Sequence, residues 1–292
     1  MRPAAQAAIT VEDALGSATA RLRTAGVEGP QRDAALLLAG ATGLERSWLM
    51  AHPEARLRPE ELAAFDGMIG RRAAREPVSR ILGRREFWSL SFAIRPETLD
   101  PRPETETLVE AVAARLSGRP RPLRILDLGT GSGCILLALL TELAQAEGLG
   151  IDISEGALEA ARANARALGL QHRAAFEAGD WGRQAGGTWQ AIVSNPPYIV
   201  NTEIPDLAPE VADYDPPRAL SGGADGLDAY RALLPEAARL LAPDGLLALE
   251  LGRGQFNAVA RLAEDAGFDV EDGVKDLSGQ RRCLVATPAS MA

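Results

Sequence analysis

The chain of 292 residues is poor in aromatic side chains, at 4%, and holds only two cysteines and two histidines. With aromatics scarce, Leu, Ala, Val and Ile must fill whatever core the 46% hydrophobic fraction builds. Cys134 and Cys283 stand far apart and share no metal-ligand spacing. That excludes a disulfide framework and points to a reduced, cytoplasmic setting. His52 and His172 also lack ligand spacing, so each reads as a surface or packing residue and no metal is expected. No apolar run approaches the ~20 residues that cross a bilayer. Acids come too early in MRPAAQAAITVEDAL for a secretory signal. Neither export nor a membrane is expected.

A basic surface is missing from most of the chain. Net charge is −9; residues 1–85 hold 13 Arg and 10 acids, for +3, and the remainder carries −12. Phosphate backbones are gripped by basic faces, so direct nucleic-acid binding is not expected of the larger, acidic part.

At this length two domains are expected. The first 80 residues read as helices. Val11, Leu15, Ala18 and Leu22 recur at helical spacing before Gly26, PQRDAALLLAGATGL opens on Pro30, and RPEELAAFDGMIGRRAA opens on Pro59. None of these segments carries chemistry. Arg71, Arg72, Arg75, Arg80, Arg84 and Arg85 cluster near the end of this region, either as a solvated helix end or as a surface that grips a partner.

From residue 84 the pattern changes. RREFWSLSFAIRP alternates aromatic and polar residues, as a short hairpin does. From residue 123 strands and helices alternate: LRILDL, CILLALLTELA, GLGIDI, EGALEAARANARALG, AAFEAGD and WQAIVSN, then DAYRALLPEAARLL, LLALELG, FNAVARLAEDAG and an edge strand CLVAT. Such alternation predicts an α/β fold, a mostly parallel sheet covered by helices on both faces. Ligands then bind beyond the C-terminal ends of the strands.

Three features fall at that edge. Gly129, Gly131 and Gly133 lie between a strand and a helix, where glycine lets the backbone approach a ligand and leaves a helix N-terminus open to it. A tight structural turn would use the same glycines. Asp152 follows Gly131 by 21 residues and ends the next strand, the place of an acid that binds both hydroxyls of a ribose. Nicotinamide nucleotides and S-adenosylmethionine both carry that ribose.

Asn195, Pro196, Pro197 and Tyr198 decide between them. They follow the strand AIVS. Two prolines remove two N–H donors and fix the chain, leaving the Asn195 side-chain oxygen and the Pro196 carbonyl as acceptors. Two fixed acceptors suit an NH2 group, and Tyr198 offers a face for a planar amide or base. A sulfonium methyl needs no acid, metal or covalent intermediate. An amide nitrogen, its lone pair delocalised, is a poor nucleophile, and orienting it can be worth up to about 7–11 kcal/mol in favourable systems.

REFWSLSF, LDPRPETETL, DLGTGSG, GDW, NPPYI and LSGGADGLDAYR, in this order, resemble the release factor glutamine N5-methyltransferase family, HemK/PrmC. The resemblance runs from about residue 75 to the C-terminus, and the helical N-terminal module matches the family in kind. NPPY alone is shared with amino-directed DNA and RNA methyltransferases.

The resemblance implies a seven-stranded, Rossmann-like class I methyltransferase domain over 101–292. A helical substrate-recognition domain over 1–83 joins it through a hairpin linker over 84–100. The implied cofactor is S-adenosylmethionine, held by Gly129, Thr130, Gly131, Ser132 and Gly133 at its methionine end and by Asp152 at its ribose. Asp180 and Trp181 would border the adenine. Asn195, Pro196, Pro197 and Tyr198 would hold the substrate amide, with Asn195, Pro196 and Tyr198 the catalytic group and Asn195 also near the cofactor. The implied substrate is the glutamine of a Gly-Gly-Gln loop in peptide chain release factors, acted on by a monomer. A ribosomal-protein glutamine or a nucleic-acid amino group are the alternatives. PRPETE, residues 101–106, would lie beside the active-site mouth or simply start a helix. YDPPRAL departs from the family pattern in its second proline, Pro217.

Overall fold

In the computed structural model, which describes residues 9–119 and 123–289, the chain opens with five helices. The first eight residues, part of the stretch read against a secretory signal, lie outside the described residues. Helix α1 (Val11–Thr24) starts at a capping box, with Thr10 and Asp13 each satisfying the other's backbone N–H. Helices α2 (Pro30–Thr42) and α4 (Pro59–Ala73) start on the prolines expected to open them. The short α3 (Arg46–Ala51) and α5 (Val78–Leu82) were not foreseen, since five or six residues carry too little periodicity to read.

Strands β1 (Arg84–Phe87) and β2 (Leu90–Ala93) form the hairpin. Then come α6 (Glu106–Leu116), β3 (Arg124–Leu128), α7 (Cys134–Glu142), β4 (Glu147–Asp152), α8 (Glu155–Ala167), β5 (Ala174–Ala178) and β6 (Trp189–Ser194). Two one-turn helices, α9 (Pro209–Ala212) and α10 (Pro217–Leu220), precede α11 (Asp228–Leu240), β7 (Leu241–Glu250), α12 (Phe256–Asp265), β8 (Phe268–Val270), β9 (Val274–Lys275) and β10 (Arg281–Pro288).

The chain divides into two compact units. One runs to Gly83 and also takes in Ala208–Tyr214. Its core is aliphatic, built on Leu22, Leu37, Leu38, Phe65 and Ile69. Through it runs a charge network: buried Arg72 donates from Nε to Asp33 at 2.9 Å and from Nη1 to Glu210 at 2.9 Å. Arg75 adds two bonds to Glu210, at 2.8 and 2.7 Å, and Arg71 binds Glu76 at 2.7 Å. Three of the six clustered arginines are thus held by carboxylates inside this unit, which the solvated-helix reading did not anticipate.

The other unit holds Arg84–Leu207 and Asp215 onward. The hairpin segment expected as a linker belongs to it: Phe87 and Phe92, 1% and 0% exposed, lie in its core, and β2 runs against α8. Its sheet runs β5-β4-β3-β6-β7-β10-β8, with the two-residue β9 paired to β10 as an eighth strand beyond the seven expected. From β5 to β7 neighbours are parallel, while β10 is antiparallel to β7 and β8. CLVAT is therefore an interior strand, not an edge. Cys283 through Ala286 are fully buried, and an unbroken apolar run is what a strand covered on both faces needs. Helices α6 to α8 cover one face of the sheet and α11 and α12 the other. Among the described residues no helix is long and apolar enough to cross a membrane.

Candidate active site

Four neighbouring parallel strands, β4, β3, β6 and β7, end at one edge of the sheet, and each ends in a chemical group. Strand β3 passes into the glycine turn. Gly129 and Thr130 donate to the Ile151 carbonyl at 2.8 and 2.9 Å, and Gly133 donates to that of Thr130 at 2.8 Å. The turn needs left-handed backbone at Gly129, Gly131 and Gly133, φ 74°, 55° and 79°, which glycine adopts at little cost. Gly133 has a second constraint: a Cβ there would press on Ala161, Leu137 and Phe176 at 3.2–3.3 Å. Beneath the turn lies Asp127, fully buried, accepting from the Thr130 hydroxyl at 2.6 Å. Burial pushes its carboxyl up to about 7.

Strand β4 ends on Asp152. Its two oxygens accept from the backbone N–H of Gly131 at 2.8 Å and of Ser154 at 2.9 Å, which fixes the carboxylate and leaves further lone pairs on each oxygen. Burial raises this group, against those two bonds. Ile153 beside it is 63% exposed, an apolar surface turned to solvent.

These groups share a cavity of about 850 Å3. Gly129 to Ser132, Asp152, Ile153, Asp180 and Trp181 line it, together with Asn195, Pro197 and Thr105. Trp181 sits at φ 54°, unusual for a bulky residue, with its ring over the glycine turn. Gly133, Pro196 and Tyr198 do not line the cavity. Gly133 is turned into packing, Pro196 is buried, and Tyr198 packs on the core beneath α11 and α12.

The residues fit S-adenosylmethionine by their chemistry. A dihydroxy ribose finds a fixed carboxylate, an amino-acid carboxylate finds the N-terminus of α7, and a flat base finds the Trp181 ring and the exposed Ile153. When bound there, the cofactor supplies a methyl group already activated on a sulfonium.

After β6 the chain turns through NPPY. Asn195 Nδ2 donates to the Thr105 hydroxyl at 3.3 Å, and Tyr198 donates its phenol to Glu250, the last residue of β7, at 3.2 Å. Gln255 Nε2 donates to the Tyr198 carbonyl at 2.9 Å while its Oε1 accepts from Gly252 at 3.0 Å. The LSGGADG loop closes over the same backbone: a Cβ on Gly222 would lie 2.8 Å from the Tyr198 Cα, so only glycine fits. PRPETE and YDPPR meet through an Arg102–Asp215 ion pair. Pro101 and Thr105 from the first, and Pro216, Pro217 and Arg218 from the second, line the cavity. Both stretches are therefore part of its wall.

Thr105 lies in PRPETE, one of whose two readings set it beside the active-site mouth, whereas Glu250 and Gln255 were not foreseen as site residues. The one signal was an acid, Glu250, set within the apolar run LLALEL.

A sheet of this topology, with a glycine turn, an acid at the end of the next strand and the NPPY turn at one edge, defines a class I methyltransferase that uses S-adenosylmethionine. The fold agrees with solved structures. The hMettl16 catalytic domain superposes with TM-score 0.57 at 17% identity, over 75% of this chain and 81% of its own. A methyltransferase from Pyrococcus furiosus gives 0.50 at 19% identity, over 68% and 89%. At such identity the likeness is of fold alone. Sequence goes further. A model of the PrmC N-terminal domain matches residues 13–83, and a methyltransferase domain model matches residues 121–267. A protein of Rhodospirillum rubrum named release factor glutamine methyltransferase is 54% identical over 266 residues, 91% of this chain and 81% of its own. One of the same name from Bradyrhizobium diazoefficiens is 46% identical over 280 residues, 95% and 94%. The chain belongs to the release factor glutamine methyltransferase family, HemK/PrmC.

Proposed function

We propose that this chain methylates the side-chain amide nitrogen, N5, of the glutamine in the Gly-Gly-Gln loop of peptide chain release factors, in the cytoplasm and as a monomer. The observation that carries the reading is the NPPY turn beside the cavity, with Asn195 anchored through its nitrogen so that its oxygen is left to accept. Asn195 Oδ1 and the Pro196 carbonyl receive the two N–H hydrogens of the substrate amide and turn its lone pair toward the cavity. The prolines keep competing donors away, and Tyr198 backs the turn. The nitrogen gains a methyl group and gives up one proton. Gly129, Thr130, Gly131, Ser132, Asp152, Asp180 and Trp181 hold the cofactor, and Gly133 sets the start of α7 behind it.

In this reading the helical unit binds the body of the release factor, because a tripeptide loop buries too little surface for a specific protein interface. Direct nucleic-acid binding is no part of it, in keeping with the acidic α/β half. Incubation with methyl-labelled S-adenosylmethionine and purified release factor, ribosomal protein or DNA tests the reading. Label should enter the release factor; label in the ribosomal protein or the DNA alone would reject it.

A further inference from the structure

The NPPY turn runs between two fixed ends. Upstream, Ser194 closes β6 in register with Leu249 of β7. Downstream, Ile199 donates to the Leu220 carbonyl at 2.9 Å and accepts from Gly222 at 2.8 Å. Between them the two prolines carry no N–H, so they cannot fasten the turn by donating. Among the described residues one side chain bonds the backbone of this turn, that of Gln255.

Gln255 precedes α12, and its amide meets backbone groups of three segments. Nε2 donates to the Tyr198 carbonyl at 2.9 Å and to the Gly226 carbonyl at 3.3 Å, while Oε1 accepts from Gly252 at 3.0 Å. The Gln255 N–H donates back to the Gly252 carbonyl at 3.2 Å, which ties the residue to its own turn. A primary amide has two hydrogens on nitrogen and accepts at oxygen. Both hydrogens go to groups that only accept, and the oxygen meets a group that only donates. Reversing the amide would set like against like at all three contacts. Glycines leave the room for it: a Cβ on Gly226 would lie 2.6 Å from Nε2 and from the Tyr198 oxygen, and one on Gly252 2.5 Å from Oε1.

We propose that Gln255 is a positioning residue for methyl transfer: by holding the Tyr198 carbonyl from behind, it fixes the end of the NPPY turn and so the aim of the Asn195 and Pro196 acceptors. This rests on the reading of NPPY as the seat of the substrate amide. It also gives LSGGADG a task, since Gly226 shares the same amide nitrogen.

Few torsions separate the acceptors from that bond. The rings of Pro196 and Pro197 set φ at both residues, and the Tyr198 side chain is fastened apart from its backbone, by its phenol on Glu250 at 3.2 Å. What remains free is the rotation of the peptide planes, and a bond at the Tyr198 carbonyl restrains the last of them. A displacement of about 1 Å in a positioning group can cost on the order of 100-fold in rate. Gln255 does not line the cavity, so it acts through the turn and leaves the cofactor's own contacts alone.

The test is steady-state methylation of a purified release factor by the full chain, with cofactor affinity measured separately by calorimetry. Gln255→Glu keeps the length and the acceptor for Gly252, but it removes both donors and sets a carboxylate oxygen against two carbonyls. It should lower kcat by ~10–100-fold while leaving the Kd for S-adenosylhomocysteine within about twofold. Gln255→Met gives up all three bonds at similar length and should lower kcat as far. A residue that merely fastened its own turn, ELGRGQ, would give near-normal kcat in Q255E and a loss in Q255M alone. That result overturns the proposal, as does equal loss of turnover and cofactor affinity. The double variant N195A/Q255E should be no more than about twofold slower than N195A, because both changes act on the same acceptors; additive losses overturn the proposal too. If Q255E does not fold, Q255M decides alone, and normal kcat there overturns it. Loss in N195A with normal Q255E and Q255M removes the role of Gln255 only, whereas normal turnover in N195A removes the reading beneath it.

Discussion

The two units treat buried charge in opposite ways. In the helical unit Arg72 lies between Asp33 and Glu210, and Arg75 grips Glu210 again. At the active edge of the α/β unit, Asp127 and Glu250 are buried as deeply, at 0% and 1% exposure. Among the described residues neither has a cation within salt-bridge distance. The pKa values follow. Burial alone would raise Glu210, but the Arg75 and Arg72 guanidiniums outweigh it and bring the group down to about 2. Asp127 and Glu250 both rise to about 7. A paired charge network specifies how helices and an inserted segment sit together. Unpaired buried acids cost stability, and here they underlie the glycine turn and NPPY.

The strongest way to break this contrast is to remove the shared cation. Arg72→Ala takes the buried guanidinium from Asp33, 2% exposed, while Arg75 still holds Glu210, and should cost about 3–5 kcal/mol. Chemical denaturation should show the loss, with hydrogen exchange accelerated in α2 and α4. Next comes Asn195→Ala at the active edge. Loss of one oriented acceptor should reduce kcat by about 10²–10³-fold and affect cofactor affinity far less, as turnover and calorimetry on one preparation would show. Asp152→Ala inverts that pattern: loss of hydrogen bonds to a charged group, about 1.5–3 kcal/mol, should appear as weaker cofactor binding.

The smallest effect sharpens the comparison by its sign. A raised carboxyl binds its proton more tightly in the folded state, so the stability it contributes is present in acid and lost as pH rises. For Asp127 that window runs from its ordinary 3.8 to about 7. Glu210 is depressed, and its contribution is lost only as pH falls from its ordinary 4.5 toward 2. The ligand-free chain should therefore melt at lower temperature at pH 8 than at pH 5 if the sheet edge dominates. Asp127→Asn should flatten that slope, while Glu210→Gln should leave it in place.

What could be read from sequence follows the same divide. The glycine turn, Asp152 and NPPY are short motifs that each follow a strand, so finding the strands finds the edge where they meet. Glu250 and Gln255 belong to no such local pattern. Glu250 pairs with the fully buried Cys283 of β10, a register visible only once the sheet is assembled. The carboxylates that hold part of the arginine cluster were out of view for a similar reason: Glu210, the partner of Arg72, lies 138 residues away. The interior position of CLVAT depended on β8 returning alongside it. Local chemistry could be read from the chain, while long-range pairing could not.

The role proposed for NPPY is to present a glutamine amide for methylation. Fragment-ion mass spectrometry of a release factor, after incubation with S-adenosylmethionine and either the unmodified chain or Asn195→Ala, tests it most directly. One added methyl group is expected on the Gly-Gly-Gln glutamine side chain with the unmodified chain, and at most a trace with the variant. A methyl group on another residue, or equal modification by both proteins, would contradict it.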